Sequence, residues 1–356
     1  MTPLYELKTH LKALSEAHGV SGHEAPIAAL LAETWQPWVD TTDRDGLGSF
    51  IGIKRGAGQG KIMLAAHMDE IGMIVREVVD GFLFVSGVAG IDARLQLAQP
   101  VIVHGARPLK GVIAATPPHL LSAEARGQYP ALDQLVVDVG LPHEEVVQLV
   151  RVGTIITPDA PMRELLNGLV SGKAFDDRAC IAIMSETLRH LQALNHTWDV
   201  YATATVQEEN GLYGALTAAQ HIAPDIAIAL DVTFAPQSGV PQDSANEIGG
   251  GPAIGLGVNF HPKLYERLID TAKRHEIKHQ IDVIPMRSGT DAWSIQTALE
   301  GIPTALISLP IRNMHSVNET LDLKDIERAG RWLAHFIAEL DEQTLPSLAD
   351  PVTAST

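Results

Sequence analysis

Six short polar segments of this chain share one placement, because each follows directly on a run of apolar residues. They cover residues 66–70, 175–178, 207–210, 230–233, 288–291 and 312–316. Histidine and carboxylate side chains dominate them, and these are the nitrogen and oxygen donors that zinc and similar divalent cations bind in proteins. The six segments therefore predict a metal centre that is assembled from distant parts of the chain.

Five side chains in these segments form a mixed set of donors, namely His67, Asp176, Glu209, Asp231 and His315. Two adjacent cations repel each other, so carboxylates must accompany the imidazoles, and one carboxylate must bridge the ions. Such a pair lowers the pKa of a water molecule that the ions share and polarises a substrate carbonyl. Hydrolysis of an amide requires both effects, so the set predicts amide hydrolysis with two divalent cations.

Neighbouring carboxylates have predicted supporting roles. Asp69 lies two residues beyond His67, hence on the same side of an extended segment, where it can accept the second imidazole N–H and fix the tautomer. Glu208 and Glu209 are neighbours after a strand, so one can bind metal while the other stays free to move a proton. Each signal alone has an ordinary explanation, such as solvated charge for the paired glutamates. As a set, the six segments make such explanations improbable.

Strands that alternate with helices must position these residues. Apolar runs predict buried strands over residues 61–66, 200–206, 226–230 and 304–309. Apolar periodicity predicts helices over residues 178–191, 214–220, 263–275, 290–300 and 323–339. Ligands in open α/β sheets bind outside the carboxyl ends of the strands. We therefore expect the α/β class, with a layered αβα catalytic domain, a mostly parallel or mixed sheet, and the site at that edge.

Residues 71–161 have a different texture, with short β-rich runs that Gly and Pro separate and with few helices. That pattern is typical of a small β-barrel or sandwich, here inserted into the catalytic domain. We therefore predict a discontinuous catalytic domain of residues 1–69 and 163–342 and an inserted β domain of residues 70–162. Residues 343–356 are rich in Pro, Ser, Thr and Asp and predict a mobile tail.

The composition argues against several classes of protein. Hydrophobic residues make up 46% of the 356 residues, and the formal net charge of −17 argues against a nucleic-acid partner. No apolar run approaches the roughly 18 residues of a membrane span, and the N-terminal pattern predicts an amphipathic helix of the fold and not a signal peptide. The only cysteine, Cys180, predicts a buried thiol and no intrachain disulfide. We expect a cytoplasmic protein without a membrane partner.

Motifs along nearly the whole chain carry a family resemblance. They include Ala65-Ala66-His67-Met68-Asp69-Glu70, Phe175-Asp176-Asp177-Arg178, Val206-Gln207-Glu208-Glu209, Ser288-Gly289-Thr290-Asp291 and Met314-His315-Ser316. Together they resemble the M42 family of metallo-aminopeptidases, which includes glutamyl aminopeptidases and the tetrahedral TET peptidases. The resemblance implies that Asp176 is the bridging ligand. Glu209 and His315 would complete one metal site. His67 and Asp231 would complete the other.

The same resemblance implies that Glu208 is the general base and that Asp69 orients the ligand histidine. It implies that the inserted domain is PDZ-like and supports dimerisation, with dimers assembling into a hollow tetrahedral dodecamer. Zinc is the expected metal, with cobalt or manganese as alternatives. Apart from the resemblance, contact with substrate is expected for Arg287, Gly289 and Asp291. Arg287 has two interpretations, a partner for an acidic substrate residue or an ordinary surface or structural role.

The main hypothesis is an aminopeptidase that removes N-terminal residues from short peptides. One alternative is a related two-metal deacylase or carboxypeptidase acting on N-acyl amino acids, which would not require a free substrate amine. A glycosidase typically needs two carboxylates that flank the glycosidic bond and no paired metals, so the histidines would lack a purpose. A scaffold that only binds metal would not need a spare glutamate at position 208.

Overall fold

The computed structural model describes residues 3–58 and 60–349 of the chain. Its helices are α1 (Pro3–Glu16), α2 (Ala25–Trp35), α3 (Ala93–Gln96), α4 (His143–Leu149), α5 (Phe175–His190), α6 (Tyr213–Ile222), α7 (Pro262–Arg274), α8 (Asp291–Ile295), α9 (Leu323–Ala338) and α10 (Thr344–Ala349). Within these described ranges, no helix combines the length and the apolar character that crossing a bilayer would require.

The strands, in chain order, are β1 (Thr41–Arg44), β2 (Phe50–Lys54), β3 (Lys61–His67), β4 (Gly72–Val79), β5 (Phe82–Val88), β6 (Pro100–His104), β7 (Pro108–Ala114), β8 (Val136–Asp138), β9 (Ile155–Pro158), β10 (Arg163–Glu164), β11 (Leu169–Gly172), β12 (Asp199–Thr205), β13 (Ile226–Phe234), β14 (Ala253–Gly257), β15 (Gln280–Ile284), β16 (Thr304–Ile311) and β17 (Glu319–Asp322). A small sheet pairs β10, β11 and β17.

The large sheet has the strand order β1-β2-β12-β3-β13-β16-β14-β15. Strands β12, β3, β13 and β16 run parallel to one another, whereas β2 and β14 pair antiparallel on either side of them. Helices cover both faces of this mixed sheet. The expected α/β class, with a layered αβα arrangement and a mixed sheet, is confirmed.

Strand β3 shows why a nearly continuous apolar run forms the middle of the sheet. Successive side chains of a strand point to opposite faces. Ile62 and Leu64 pack in the core with α1, α5 and α9, and Met63 and Ala65 pack on the other face with α6 and α8. Because both faces are buried, every position must be apolar until the strand reaches the edge of the sheet at His67.

The carboxyl ends of the parallel strands meet at one edge. His67 at the end of β3 pairs with Thr205 at the end of β12. Strand β13 continues to Phe234 and does not stop at the predicted residue 230, because residues 231–234 pair with residues 308–311 of β16. Asp231 therefore lies within a paired strand and not in a loop after it, which fixes its position more firmly.

The helix α5 lies inside the protein. Its residues from Phe175 to Leu188 are all buried, and it packs against α1, α9 and β3. Cys180 is one of these residues, and its thiol donates a hydrogen bond to the backbone oxygen of Asp231 at 3.2 Å. The prediction of a buried thiol at Cys180 is confirmed. Because α5 begins at the sheet edge, its first residues are held at the site by the whole core.

Apart from the two open sheets, the molecule contains a closed barrel with the strand order β4-β5-β8-β7-β6-β9. Its interior is a separate apolar core that includes Val85, Val101, Val137 and Ile156, each fully buried. The strands lie between residues 72 and 158, inside the range that the texture of the sequence singled out. The limits of the inserted domain remain a prediction.

The prediction of a mobile tail was wrong for its first part. Helix α10 covers Thr344–Ala349, and Leu348 packs into the same core as α9. The guanidinium of Arg267 donates to the hydroxyls of Thr344 and Ser347, each at 3.2 Å. The high content of Pro, Ser and Thr indicated coil, but two leucines three residues apart give this segment an apolar face. Residues 350–356 lie outside the described residues.

A methyl group added at Gly214 tests how tightly α6 packs on the end of β12. It would lie 2.2 Å from the oxygen and 2.5 Å from the nitrogen of Val206, which are backbone atoms and cannot simply move aside. We expect Gly214→Ala to lower the free energy of unfolding by about 1–3 kcal/mol in urea denaturation. Gly127→Ala is the control, because its added methyl meets no atom within 4 Å. Equal effects of the two substitutions would contradict the close packing.

Candidate metal centre

The carboxylate of Asp176 lies between two imidazoles. Its Oδ1 is 3.1 Å from Nε2 of His67, and its Oδ2 is 3.2 Å from Nε2 of His315. Asp176 belongs to the first turn of α5, His67 ends β3, and His315 follows β16. Each carboxylate oxygen thus faces a different histidine, as in a carboxylate shared by two cations.

The remaining predicted ligands surround this carboxylate. Oε1 of Glu209 is 3.5 Å from Nε2 of His315, and Oε2 of Glu208 is 3.9 Å from Nε2 of His67. Donor atoms lie within 4.8 Å of one another in two sets, one of His67, Asp176 and Glu209 and one of His67, Asp177 and Asp231. The fold thus brings together the five side chains that the sequence singled out as ligands. It also adds Asp177, to which sequence analysis gave no role.

Asp69 connects His67 to the loop that carries the paired glutamates. Nδ1 of His67 is 3.1 Å from the backbone oxygen of Asp69 and 3.4 Å from its Oδ1. The backbone N–H of Glu208 donates to Oδ1 at 3.0 Å, and that of Glu209 donates to Oδ2 at 3.2 Å. The Ser21 hydroxyl donates to Oδ2 at 2.6 Å. A proton on Nδ1 of the imidazole leaves Nε2, which faces the centre, available as a ligand atom.

Glu319 is a buried carboxylate of this centre that sequence analysis missed. Its Oε2 accepts the backbone N–H of Asp176 at 3.1 Å, and its Oε1 accepts the backbone N–H of His315 at 2.9 Å. It therefore ties together the two chain segments that carry these side chains. The available signal was an acidic residue at the start of the buried strand β17, four positions after His315.

A buried network of ion pairs supports the turn after His67. Oε2 of Glu70 is 2.6 Å from Nζ of Lys173, and its Oε1 is 3.7 Å from the guanidinium of Arg178. Arg178 also donates to the backbone oxygens of Met68 at 2.5 Å and Leu14 at 2.7 Å. Removing one member would leave a buried charge unpaired, which typically costs about 3–5 kcal/mol. These buried ion pairs and hydrogen bonds thus fix the turn that follows His67.

The acids of this centre repel one another in a buried setting. Burial raises the pKa of Glu208 to about 10, and burial reinforced by the charge of Asp176 raises the pKa of Glu209 to about 7. Burial and the same charge also raise the pKa of Asp231 well above its usual range. Burial opposes charge on Asp176 too, but its hydrogen bonds with His315 and His67 keep its pKa below the usual range. Without a cation, Glu208, Glu209 and Asp231 therefore keep their protons to a higher pH than usual, whereas Asp176 stays charged.

These residues fit a centre that holds divalent cations. Imidazole nitrogens combined with carboxylate oxygens are the donor set of zinc and related ions. Oδ1 of Asp177 is buried and has no hydrogen-bond partner within the described ranges, and such an atom costs free energy unless a ligand satisfies it. A cation would also lower the pKa values of the neighbouring acids and reduce their repulsion.

An open cavity of about 680 Å³ leads away from the centre. Arg287 and Gly289, two of the predicted substrate-binding residues, line this cavity. The third, Asp291, does not, because its side chain is buried. Its Oδ2 accepts a hydrogen bond from the hydroxyl oxygen of Thr205, which lies 2.6 Å away. The expectation of substrate contact for Asp291 was therefore wrong. Its carboxylate lies beneath the site and supports the end of β12.

Comparisons with known proteins show the family to which this chain belongs. Residues 48–331 match the family model of the M42 glutamyl aminopeptidases. The chain is 35% identical to a lysyl aminopeptidase of Pyrococcus furiosus, over 93% of this chain and 96% of that relative. It resembles the TET aminopeptidase of the marine sediment archaeon Thaumarchaeota archaeon SCGC AB-539-E09, with a TM-score of 0.92, 33% identity, and coverage of 98% of this chain and 100% of that one.

The Pyrococcus horikoshii TET1 peptidase, which can assemble into a tetrahedron or a large octahedral shell, is also similar. Its TM-score is 0.84 at 30% identity, with 94% of this chain and 100% of that chain covered. These matches extend over nearly the full chain, and the resemblance that the motifs indicated is confirmed. The chain belongs to the M42 family of peptidases and is an aminopeptidase.

Proposed function

We propose that this aminopeptidase removes the N-terminal residue from short peptides with the help of two divalent cations. His67 and Asp231 would hold one cation. Glu209 and His315 would hold the other, and Asp176 would bridge the two. The observation that carries the proposal is the position of Asp176, whose two oxygens face two different imidazoles at 3.1 and 3.2 Å.

Glu208 is the residue that we propose to move the proton. When bound, a pair of cations lowers the pKa of a water molecule and polarises the scissile carbonyl. Glu208 lines the cavity beside His67 and has no ligand role in this assignment. From there its carboxylate can accept the proton of the attacking water and deliver it to the leaving amine.

Asp69 is proposed to act through the residues that it holds. Its carboxylate accepts the backbone N–H groups of Glu208 and Glu209, while its backbone oxygen and Oδ1 lie 3.1 and 3.4 Å from Nδ1 of His67. One buried residue thus fixes the tautomer of His67 and the starting point of the proton-transfer side chain. Asp69 is therefore a positioning residue.

We propose zinc as the native ion, because the donor set mixes two imidazoles with carboxylates and zinc accepts both. Cobalt and manganese are the alternatives, since they share part of this preference. Activity after chelation and readdition of each ion, with the bound metal counted by mass spectrometry, distinguishes the three.

We further propose that residues 1–69 and 163–342 form the catalytic domain and that residues 70–162 mediate dimerisation. The dimers would assemble into a tetrahedral dodecamer in the cytoplasm. Support comes from the similarity to Pyrococcus horikoshii TET1, which can assemble into a tetrahedron. A hollow particle would admit short peptides and exclude folded proteins. Light scattering of the purified protein tests this, because a monomer at working concentrations would contradict it.

A free substrate amine separates the proposed activity from that of a related deacylase. An aminopeptidase releases an amino acid from an unblocked peptide and not from its N-acetylated form. A deacylase or carboxypeptidase would tolerate the acetyl group. The preferred side chain is a separate question, because the family model refers to glutamyl and the relative from Pyrococcus furiosus to lysyl substrates.

Replacing Glu208 by Gln removes the proton acceptor with little change in size. We expect kcat for a peptide amide to fall about 10²–10⁴-fold, the usual contribution of a general base, while the metal content stays unchanged. Glu300→Gln alters an exposed glutamate outside the cavity and should keep the wild-type kcat. A Glu208→Gln enzyme with bound metal and full activity would contradict the assignment.

Cation binding should release protons from the ligands. Hydrogen bonding to Asp176 raises the pKa of His315 from 6.5 to about 9, and burial raises that of Glu209 from 4.5 to about 7. The metal-free folded protein therefore holds protons that the unfolded chain has lost. Its free energy of unfolding should then fall as the pH rises from about 4.5 to about 9.

Bound cations displace these protons, so the metal-loaded protein should lack this part of the decline. We expect the difference in melting temperature between metal-loaded and chelator-treated protein to grow between about pH 5 and about pH 8. Calorimetry at a series of pH values measures this difference. A difference that stays constant over that range would contradict the role of His315 and Glu209 as ligands.

A further inference from the structure

The cavity beside the metal centre contains a carboxylate that the proposed chemistry does not use. Asp282 lies on β15, is half-buried, and lines the cavity. Its Oδ2 accepts a hydrogen bond from the hydroxyl oxygen of Thr233, which lies 2.7 Å away. Within residues 3–58 and 60–349, no Lys, Arg or His nitrogen lies within 4.0 Å of this carboxylate. Asp282 is thus held in place by a neutral group and lacks a cationic partner.

The position of Thr233 allows an estimate of how far this carboxylate lies from the metal centre. Thr233 lies two residues beyond Asp231 on β13, so both side chains are on the same face of the sheet. Two residues of a strand span roughly 6–7 Å. An extended lysine side chain reaches roughly 6 Å from its Cα to its ammonium nitrogen. A residue whose backbone binds at the metal centre could therefore reach Asp282 with a side chain of this length.

The cavity wall between the metal centre and Asp282 suits the apolar stem of a lysine side chain. Leu306 and Ile284 line the cavity and belong to the apolar cluster on this face of the sheet. Ser308 pairs with Asp231 across β16 and β13, and its buried hydroxyl has no hydrogen-bond partner in the part of the chain described. Lysine combines an apolar stem with a charged end, which matches an apolar wall that leads to an acid.

Arg287 lines the same cavity and would favour an acidic substrate residue instead. Its side chain is exposed, however, and its guanidinium carbon lies 5.6 Å from the centre of the Trp293 ring. An ion pair in such an exposed setting contributes little, because solvent screens it. The carboxylate of Asp282 is less exposed and is already oriented by Thr233, so it is the stronger determinant of charge preference.

We propose that Asp282 binds the ammonium group of an N-terminal lysine and so selects peptides that begin with a cationic residue. This proposal rests on the aminopeptidase site described above. Norleucine is the matched probe, because it has the same unbranched stem and lacks the ammonium group. The test compares kcat/KM for the amides of lysine, norleucine and glutamate, in the metal-loaded enzyme.

We expect the wild-type enzyme to prefer lysine over norleucine by about 10- to 100-fold, the usual range for a hydrogen bond to a charged group. Asp282→Asn should bring this ratio close to one. Thr233→Val, which removes the hydroxyl that orients Asp282, should lower the ratio partially and serves as the second variant if Asp282→Asn does not fold. Asp270→Asn, which removes an exposed charge on α7, should retain the wild-type ratio.

An unchanged ratio in Asp282→Asn would overturn the proposal, as would equal rates on lysine and norleucine in the wild type. A preference for glutamate that Arg287→Gln abolishes would also overturn it, in favour of the arginine. In each of these outcomes the enzyme still cleaves an aminoacyl amide, so the proposed function survives. Failure of the metal-loaded wild type to cleave any of the three amides would instead contradict the proposed function itself.

Discussion

The crowding of buried carboxylates around Asp176 is the constraint on which the rest of this structure depends. Several carboxylates lie close together and largely out of water, where like charges repel strongly and each is costly to ionise. A fold held together only by apolar contacts would relax by moving these groups apart. Here they are bound to the ends of strands and to the first turn of a buried helix, which cannot move independently. Divalent cations are the natural counter-charge for such a group.

Hydrogen bonds from the surrounding backbone hold these crowded carboxylates in place. Glu319 ties the backbone at Asp176 to the backbone at His315, and Asp69 ties His67 to the glutamate loop. Each of these acids accepts two backbone N–H groups, and Asp69 also accepts the Ser21 hydroxyl, so the position of each carboxylate is set mainly by the backbone. Glu319 and Asp69 thus hold the residues that carry the donor atoms, and such supporting hydrogen bonds are usual in metal sites. Their substitution should therefore alter metal affinity before it alters the fold.

The sequence predicted that these histidine and carboxylate side chains converge, because their placement after buried strands is a local pattern with a clear geometric result. It predicted the barrel because short β-rich runs separated by Gly and Pro are also a local pattern. Strand β14 escaped notice, since Gly255 and Gly257 weaken the strand signal, and its neighbour β15 was missed with it. A Cβ at Gly257 would lie 1.8 Å from the oxygen of Ile284, so close approach of β15 requires glycine there. Roles such as those of Asp291, Asp177 and Glu319 depend on contacts across the fold, which a single sequence does not reveal.

The central claim is that Asp176 joins two cations. A crystal of the zinc-loaded protein, measured with X-rays just above and just below the zinc absorption edge, tests it most directly. The account predicts two anomalous peaks per chain, one on either side of the Asp176 carboxylate, with His67 next to one and His315 next to the other. A single peak, or two peaks that this carboxylate does not touch, would contradict it.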